Sequence, residues 1–331
     1  MQADTKKKLY FLILVVFFFL VVFVTPFIGS QSLNYHQVVA YLSKVQTPDG
    51  IIFFRLRLPR IFLALITGAS LSLAGVVFQA LLRNPLATPY TLGVSAGGAL
   101  GAVTMIKLGL VFSVLGFTTI QLSAFVGSLL TIILVYFLSR KTGRISVNTM
   151  ILAGVTISYF FSALILMLHF LADFTETRQM IRWMMGGLDV VDMSQIIRTT
   201  PFLLIAFVIL FLNSRTLNLI STSEETAFSK GVEVDHVRRI IFVFASLITG
   251  LVVAISGPIG FVGLIVPHFL RLFLGVDHRY IIPASIIFGG SFLVLCDTIA
   301  RTILAPIDIP VGIITAILGG PFFLWLLVKS R

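Results

Sequence analysis

The sequence predicts an all-α integral membrane protein of about ten helices, and three observations lead there. Of its 331 residues, 58% are hydrophobic and 11% charged. Its mean hydropathy is +1.07. The apolar residues gather into long runs that charges punctuate, whereas a soluble domain carries about a quarter charged residues dispersed over its surface. A helical crossing needs about 20 predominantly apolar residues. Runs of that kind occupy residues 9–28, 62–82, 89–106, 117–138, 147–169, 196–212, 240–256, 258–272, 281–296 and 311–328.

The first run follows Lys6, Lys7 and Lys8. A secretory signal opens in the same way, but no small-residue cleavage site closes this run and the chain beyond it is equally apolar, so it reads as an uncleaved span. Residues 32–49 place Tyr35, Val38, Val39 and Leu42 in a pattern that suits either an interfacial helix or an ordinary connector. Arg57-Leu58-Pro59-Arg60 opens the second run and Arg83-Asn84-Pro85-Leu86 ends it. Pro85 has no N–H and disfavours helix at Asn84, which predicts a polar bend there.

Gly68, Gly75, Gly93, Gly97, Gly98 and Gly101 thin the second and third spans, and Gly250, Gly257, Gly260 and Gly263 recur later. Small residues let membrane helices approach closely, so packing is their expected role. Ser256-Gly257-Pro258 either breaks one hydrophobic region or separates two short helices. Residues 173–192, with Arg178, Arg182 and Trp183 near their centre, suit a short surface helix with an interfacial anchor.

Residues 213–239 form the longest polar connector. A Ser or Thr near Ser221 caps a short helix, and Glu224 and Glu225 suit its N-terminal dipole. Ala227, Phe228 and Val232 supply apolar contacts and Gly231 permits a turn. The segment reads as a partner-docking element, with an amphipathic linker as the alternative.

The formal charge of +11 does not indicate a nucleic-acid binder, because the basic residues lie between apolar runs and form no solvated patch. They set orientation instead. With both termini cytoplasmic, most of the 24 Lys and Arg residues lie inside, while Arg55, Arg57 and Arg60 lie outside as an exception. Cys296 is alone in an apolar run and offers no disulfide or multi-cysteine metal site. His268, Asp277 and His278 suit helix-end hydrogen bonds, proton coupling or, least well, a metal, since their spacing matches no structural ligand set. No GxxxxGK[ST] loop occurs and no connector is long enough for a nucleotide-binding domain. No Ser-His-Asp arrangement can be read from the spacing, so hydrolytic chemistry is disfavoured.

Arg57, Arg60 and Arg301 are candidates to hold carboxylates of an incoming protein, because guanidinium offers two parallel donors. Lipid headgroups and internal pairing compete for them; Asp297 precedes Arg301 by four residues on one helical face. The bend at Asn84 and Leu86 is a candidate inner gate, with Val147 and Asn148 at the start of the fifth span as weaker ones.

In order along the chain stand RLPR (57–60), RNPLATP (83–89), LGVSAGG (92–98), SGPIGFVGLIVPH (256–268), DTIAR (297–301) and IPVG (309–312). Together they resemble the permeases of bacterial ABC importers for iron-siderophores, haem and vitamin B12. The resemblance covers nearly the whole chain. It implies a type II importer transmembrane domain over residues 1–331, multi-pass in the bacterial cytoplasmic membrane, paired with a second permease, identical or homologous. It further implies two ATP-binding subunits, an extracytoplasmic substrate-binding protein, no cofactor on this chain, and ATP with Mg on the partner subunits. Arg57 and Arg301 match binding-protein docking positions. Asn84 and Leu86, and less closely Val147 and Asn148, match gate positions, Val147 departing from a small hydroxyl residue found in relatives. Glu224, Ala227, Gly231 and Val232 match the ATPase-coupling region. Iron chelates are the leading cargo class, with haem, vitamin B12 and metal oxyanions as further members; a proton-coupled secondary transporter is the reading from another class.

Overall fold

The computed structural model describes residues 2–43, 45–141, 144–188 and 192–329. Helix α1 (Gln2–Val24) runs into a 3₁₀ turn, Thr25–Phe27, and is followed by two short helices, α2 (Tyr35–Leu42) and α3 (Pro48–Ile51). A π-helical segment, Ile52–Arg57, joins α3 to α4 (Leu58–Leu81). Its i→i−5 bonding ends beside Pro59, which has no N–H to donate. The second span therefore begins earlier than residue 62. Arg55, Arg57 and Arg60 sit on continuous helix rather than in a loop.

Next come α5 (Val94–Leu108), a two-residue hairpin of β1 (Ser113–Val114) and β2 (Phe117–Thr118), and α6 (Thr119–Ser139). A second small hairpin, β3 (Arg140–Lys141) with β4 (Arg144–Ile145), precedes α7 (Val147–Phe170), α8 (Phe174–Met184) and α9 (Met193–Leu212). The remaining helices are α10 (Ser214–Thr222), α11 (Glu224–Ser229), α12 (Val234–Ser256), α13 (Val262–Leu274), α14 (His278–Ala300) and α15 (Val311–Lys329). Among the described residues, seven helical stretches are long and apolar enough to cross a membrane, and α5, α13 and α15 contribute three shorter apolar helices. These ten match the ten expected runs.

The region around Ser256-Gly257-Pro258 separates two helices. At 13 residues, α13 is about 20 Å long, less than the hydrocarbon thickness of about 30 Å. Such a helix is tolerable where protein surrounds its irregular ends. Here Gly187 N–H donates to the Ser256 carbonyl at 2.8 Å and Gly312 N–H to that of Gly186 at 3.2 Å. The connector at 32–49 contains a true helix, α2, capped by Asn34, but only Val38 of its apolar set packs inward. The surface helix expected within 173–192 is α8, closed by a reciprocal capping box between Asp173 and Glu176. The Glu176 carboxyl is held below its usual range, first by the hydrogen bond from Lys107.

Burial follows a membrane pattern. α4 lies at the centre with buried side chains along most of its length, whereas α1, α7 and α9 turn large apolar residues outward, where lipid is the solvent. Two apolar clusters flank α4, one against α12 with Phe78 and Phe242, the other against α13 and α14 with Leu71 and Leu293. Glycines set these distances. A Cβ on Gly75 would fall on the Gly263 carbonyl of α13, so the two backbones touch. Gly260, by contrast, has open space where a Cβ would be and makes no such contact. Replacing Gly75 by leucine is expected to cost about 3 kcal/mol or more, since backbone must move. A lowered midpoint of thermal unfolding in detergent checks it, and an unchanged midpoint would show that α13 is free to shift.

Candidate functional site

Helix direction gives the bundle two polar ends. At one end α1 finishes, α4 begins and α14 finishes, which gathers Arg57, Arg60, Asp297, Arg301 and Asp308. Asp297 is only 1% exposed. It accepts the Arg60 Nε at 2.9 Å, and Arg301 Nε stands 3.7 Å from its other oxygen. The Nη1 of Arg60 reaches Asp308 at 2.7 Å. Arg57 and Arg301 are nearly enclosed, 7% and 6% exposed. Their guanidiniums brace the end of α1, with Arg57 donating to the carbonyls of Pro26, at 2.9 Å, and Gln31. Arg301 donates to that of Thr25 at 2.9 Å. The structure thus brings all three expected arginines together and shows internal partners for each. The Asp297–Arg301 pair exists, but the Arg60–Asp297 contact is the shorter.

At the opposite end α4 finishes in the bend. Asn84 Oδ1 accepts the Leu86 N–H at 2.9 Å, an Asx turn that leaves the Leu86 side chain exposed. Arg83 takes a left-handed backbone conformation there, φ +47°. Its guanidinium meets the Glu224 carboxylate of α11 at 2.6 Å. The same Glu224 oxygen also takes Arg238 of α12 at 2.7 Å. Leu82, Arg83, Val147, Asn148, Glu224 and Arg238 surround a polar cleft of about 380 Å³. Gate candidates Val147 and Asn148 therefore share one cleft with the first coupling candidate, and Asn84 and Leu86 adjoin it in sequence.

The coupling segment folds as two helices, α10 and α11. Ser223 caps α11 by accepting Thr226 N–H at 3.4 Å, within the expected stretch 221–225. Gly231 holds φ +78°, and the Val232 N–H returns to the Ala227 carbonyl at 3.1 Å. Ala227 points inward and is fully buried, so it seats α11 against the bundle. Phe228 is the side chain α11 presents outward, 78% exposed.

His268 lies against the Phe322 ring. Asp277 caps α14, accepts from Arg279 and Asn218, and its carboxyl is held well below the usual range, first by Arg279. Asp277 thus serves a helix end and, with His278, bonds Asn218 of α10, whereas His268 lies mid-helix in α13.

The roles of Arg83, Arg238 and Asp308 were not legible in the sequence. Each looks like an ordinary boundary charge there, and the only signal was a carboxylate-poor chain in which 13 Asp and Glu face 24 Lys and Arg. Few anions are available, and Glu224 and Asp297 each take two guanidiniums.

Comparison with known proteins decides the family. The profile of the FecCD transport family matches residues 13–329. The chain belongs to the FecCD transport family. This FecCD chain is 35% identical over 307 residues to the hemin transport system permease protein HmuU of Yersinia pestis, covering 92% of this chain and 90% of that one. It is 40% identical over 293 residues to the cobalamin import system permease protein BtuC of Halobacterium salinarum, covering 87% and 78%. A solved structure, described as an inward-facing conformation of a metal-chelate type ABC transporter, superposes with a TM-score of 0.86 at 31% identity, over 97% of this chain and 99% of the other. The FecCD chain is a multi-pass ABC-transporter permease with the type II importer fold, and its role is passage rather than catalysis.

Proposed function

We propose that this chain, as one permease domain over residues 1–331, forms half of an ATP-driven import channel for an iron chelate of the siderophore or haem class. Both termini are cytoplasmic in this reading. A second permease completes the pathway, two ATP-binding subunits engage residues 213–239, and a substrate-binding protein docks at the opposite end. ATP and Mg are bound by the partner subunits.

The observation that carries the reading is the Glu224 carboxylate held by Arg83 and Arg238. It joins α11, which offers Phe228 to a partner, directly to the bend at Asn84 and Leu86. Motion imposed on α10 and α11 is thereby delivered to the inner gate of Asn84, Leu86, Val147 and Asn148. Gly231 and Val232 close α11 and Ala227 anchors it. At the other end, Arg57, Arg60 and Arg301, neighboured by Asp49, Asp297 and Asp308, are the guanidiniums this reading offers to carboxylates of the binding protein. Support for the cargo class is the identity with the hemin permease; the similar identity with the cobalamin permease makes vitamin B12 the second reading.

The test is uptake into proteoliposomes holding the permease, its ATPase and its binding protein, offered a ferric siderophore, haemin or cobalamin. An ATP-dependent rise in luminal iron chelate is the expected result. Accumulation of cobalamin alone selects the second reading. Equal uptake with and without ATP removes the mechanism and favours a secondary transporter.

A further inference from the structure

A second cavity lies between α6, α9 and α12 and shares no residue with the Asp297 or Glu224 clusters. It encloses about 340 Å³. Its walls are apolar, with Phe125 from α6, Phe202 and Ala206 from α9, and Phe244 and Ala254 from α12, and Arg198 stands at one extremity. All three helices are long and apolar enough to cross a membrane, and the groove's polar lining is confined to Gln121, Arg198 and Thr199 near one extremity.

Its dimensions and polarity select the occupant. From Arg198 to Ala206 along α9, and from Phe244 to Ile255 along α12, the groove runs roughly 12–16 Å at 1.5 Å per residue. That is about half of a hydrocarbon core of about 30 Å, the depth of one leaflet. The apolar part is therefore long enough for one acyl chain and too short for a span. Arg198 sits near the start of α9, beside the β1–β2 hairpin, on the same side of the bundle as Arg57. Its guanidinium donates to the Leu115 carbonyl, and Gln195 one turn earlier donates to the Gly116 carbonyl, so the hairpin is braced over the polar extremity. Guanidinium carries five donors in a planar fork suited to phosphate oxygens. The nearby carboxylate, Asp192, accepts the Ser194 hydroxyl at 2.6 Å and also lies within the electrostatic reach of Arg198, so a phosphate there competes with it.

We propose that this groove is a phospholipid site in which one acyl chain lies against Phe125, Phe202 and Phe244 and an anionic headgroup phosphate is held by Arg198. The site is independent of the transport reading, because it uses no residue of the Asp297 or Glu224 clusters. It recognises lipid by matched depth. The apolar wall binds any phospholipid chain, and Arg198 adds preference for net anionic headgroups.

Native mass spectrometry of the permease released from micelles containing dioleoylphosphatidylglycerol or dioleoylphosphatidylcholine tests it. Wild-type protein is expected to retain one phosphatidylglycerol about tenfold more readily than phosphatidylcholine. Arg198→Gln is expected to erase that preference, and Arg198→Lys to keep part of it, which a purely structural role in bracing the hairpin would not predict. Leu251→Trp, which fills the groove from a partly exposed wall position, is expected to reduce retention of both lipids. Phosphatidylglycerol retention unchanged in Arg198→Gln overturns the headgroup assignment, and retention unchanged in Leu251→Trp overturns the groove as the site. Melting of each variant in lipid-free detergent at the wild-type midpoint is expected. Should Arg198→Gln melt lower and Arg198→Lys also lose the preference, Arg198 serves the hairpin and the proposal fails.

Discussion

Glu224→Arg is expected to reduce ATP-driven uptake by the reconstituted importer by at least about tenfold while leaving the permease folded. The carboxylate is the single anion between two guanidiniums, at 2.6 Å from Arg83 and 2.7 Å from Arg238. Hydrogen bonds to charged groups contribute about 1.5–3 kcal/mol, and about 1.4 kcal/mol is a factor of ten in an equilibrium. Reversing the charge therefore replaces attraction with repulsion at the joint between α11 and the bend after α4. The partly exposed Arg83 side of the pair is screened and contributes less. The buried Arg238, 3% exposed, supplies the stronger half. The informative comparison is the double variant Arg83→Glu with Glu224→Arg, which restores one pair with opposite polarity. Partial recovery of uptake in the double variant is the coupling signature expected of a direct contact. Additive losses, with ATPase association intact, would place the coupling elsewhere on α10 or α11.

Asp297→Ala is expected to have the largest effect on stability, about 3–5 kcal/mol, because it removes the anion of a buried pair and leaves its cation enclosed. Arg60 and Arg301 both depend on that carboxylate, and Arg60 bridges it from a position 237 residues away. Asp308→Asn removes only an outer, half-exposed partner of Arg60 and is expected to cost under about 1 kcal/mol. Cys296 is the single cysteine and is buried, so a thiol-reactive dye reports unfolding directly. A midpoint for Asp297→Ala equal to that of wild type would mean that Arg60 and Arg301 find other acceptors without loss. An equal drop for both Asp variants would mean that solvent reaches the cluster.

The two outcomes bear on one question about the docking end. Arg57 and Arg301 are largely committed to backbone carbonyls of the α1 terminus. If a binding protein docks here, as we propose, its carboxylates meet guanidiniums already oriented by Asp297 and by the carbonyls of Thr25 and Pro26. Pre-arrangement lowers the ordering cost of binding.

Much of this molecule could be read from its sequence because membrane residence imposes local rules. Twenty apolar residues make a span wherever they stand, so all ten runs were found, and Asn84-Pro85 marked the bend because proline acts on its immediate neighbour. Gly231 and a capping Ser or Thr located α11 for the same reason. Where the signal was not local, boundaries moved. The helix through Arg57 extends back to Pro48 because the π-helical segment accommodates Pro59, and Ala227 turned inward because α11 is seated by its neighbours, a fact its six residues do not encode.

Local sequence sufficed for the all-α membrane architecture, the ten apolar helices, and the short segments that carry polarity at their ends. Only the tertiary structure decided which charges meet. Arg60 with Asp297, and Arg83 with Glu224, are joined across long stretches of chain by the order in which helices pack around α4. That order is set by backbone contacts such as Gly75 against Gly263. Hydropathy and helical period are properties of neighbouring residues, whereas an ion pair requires two distant helices to present their ends at the same depth and azimuth.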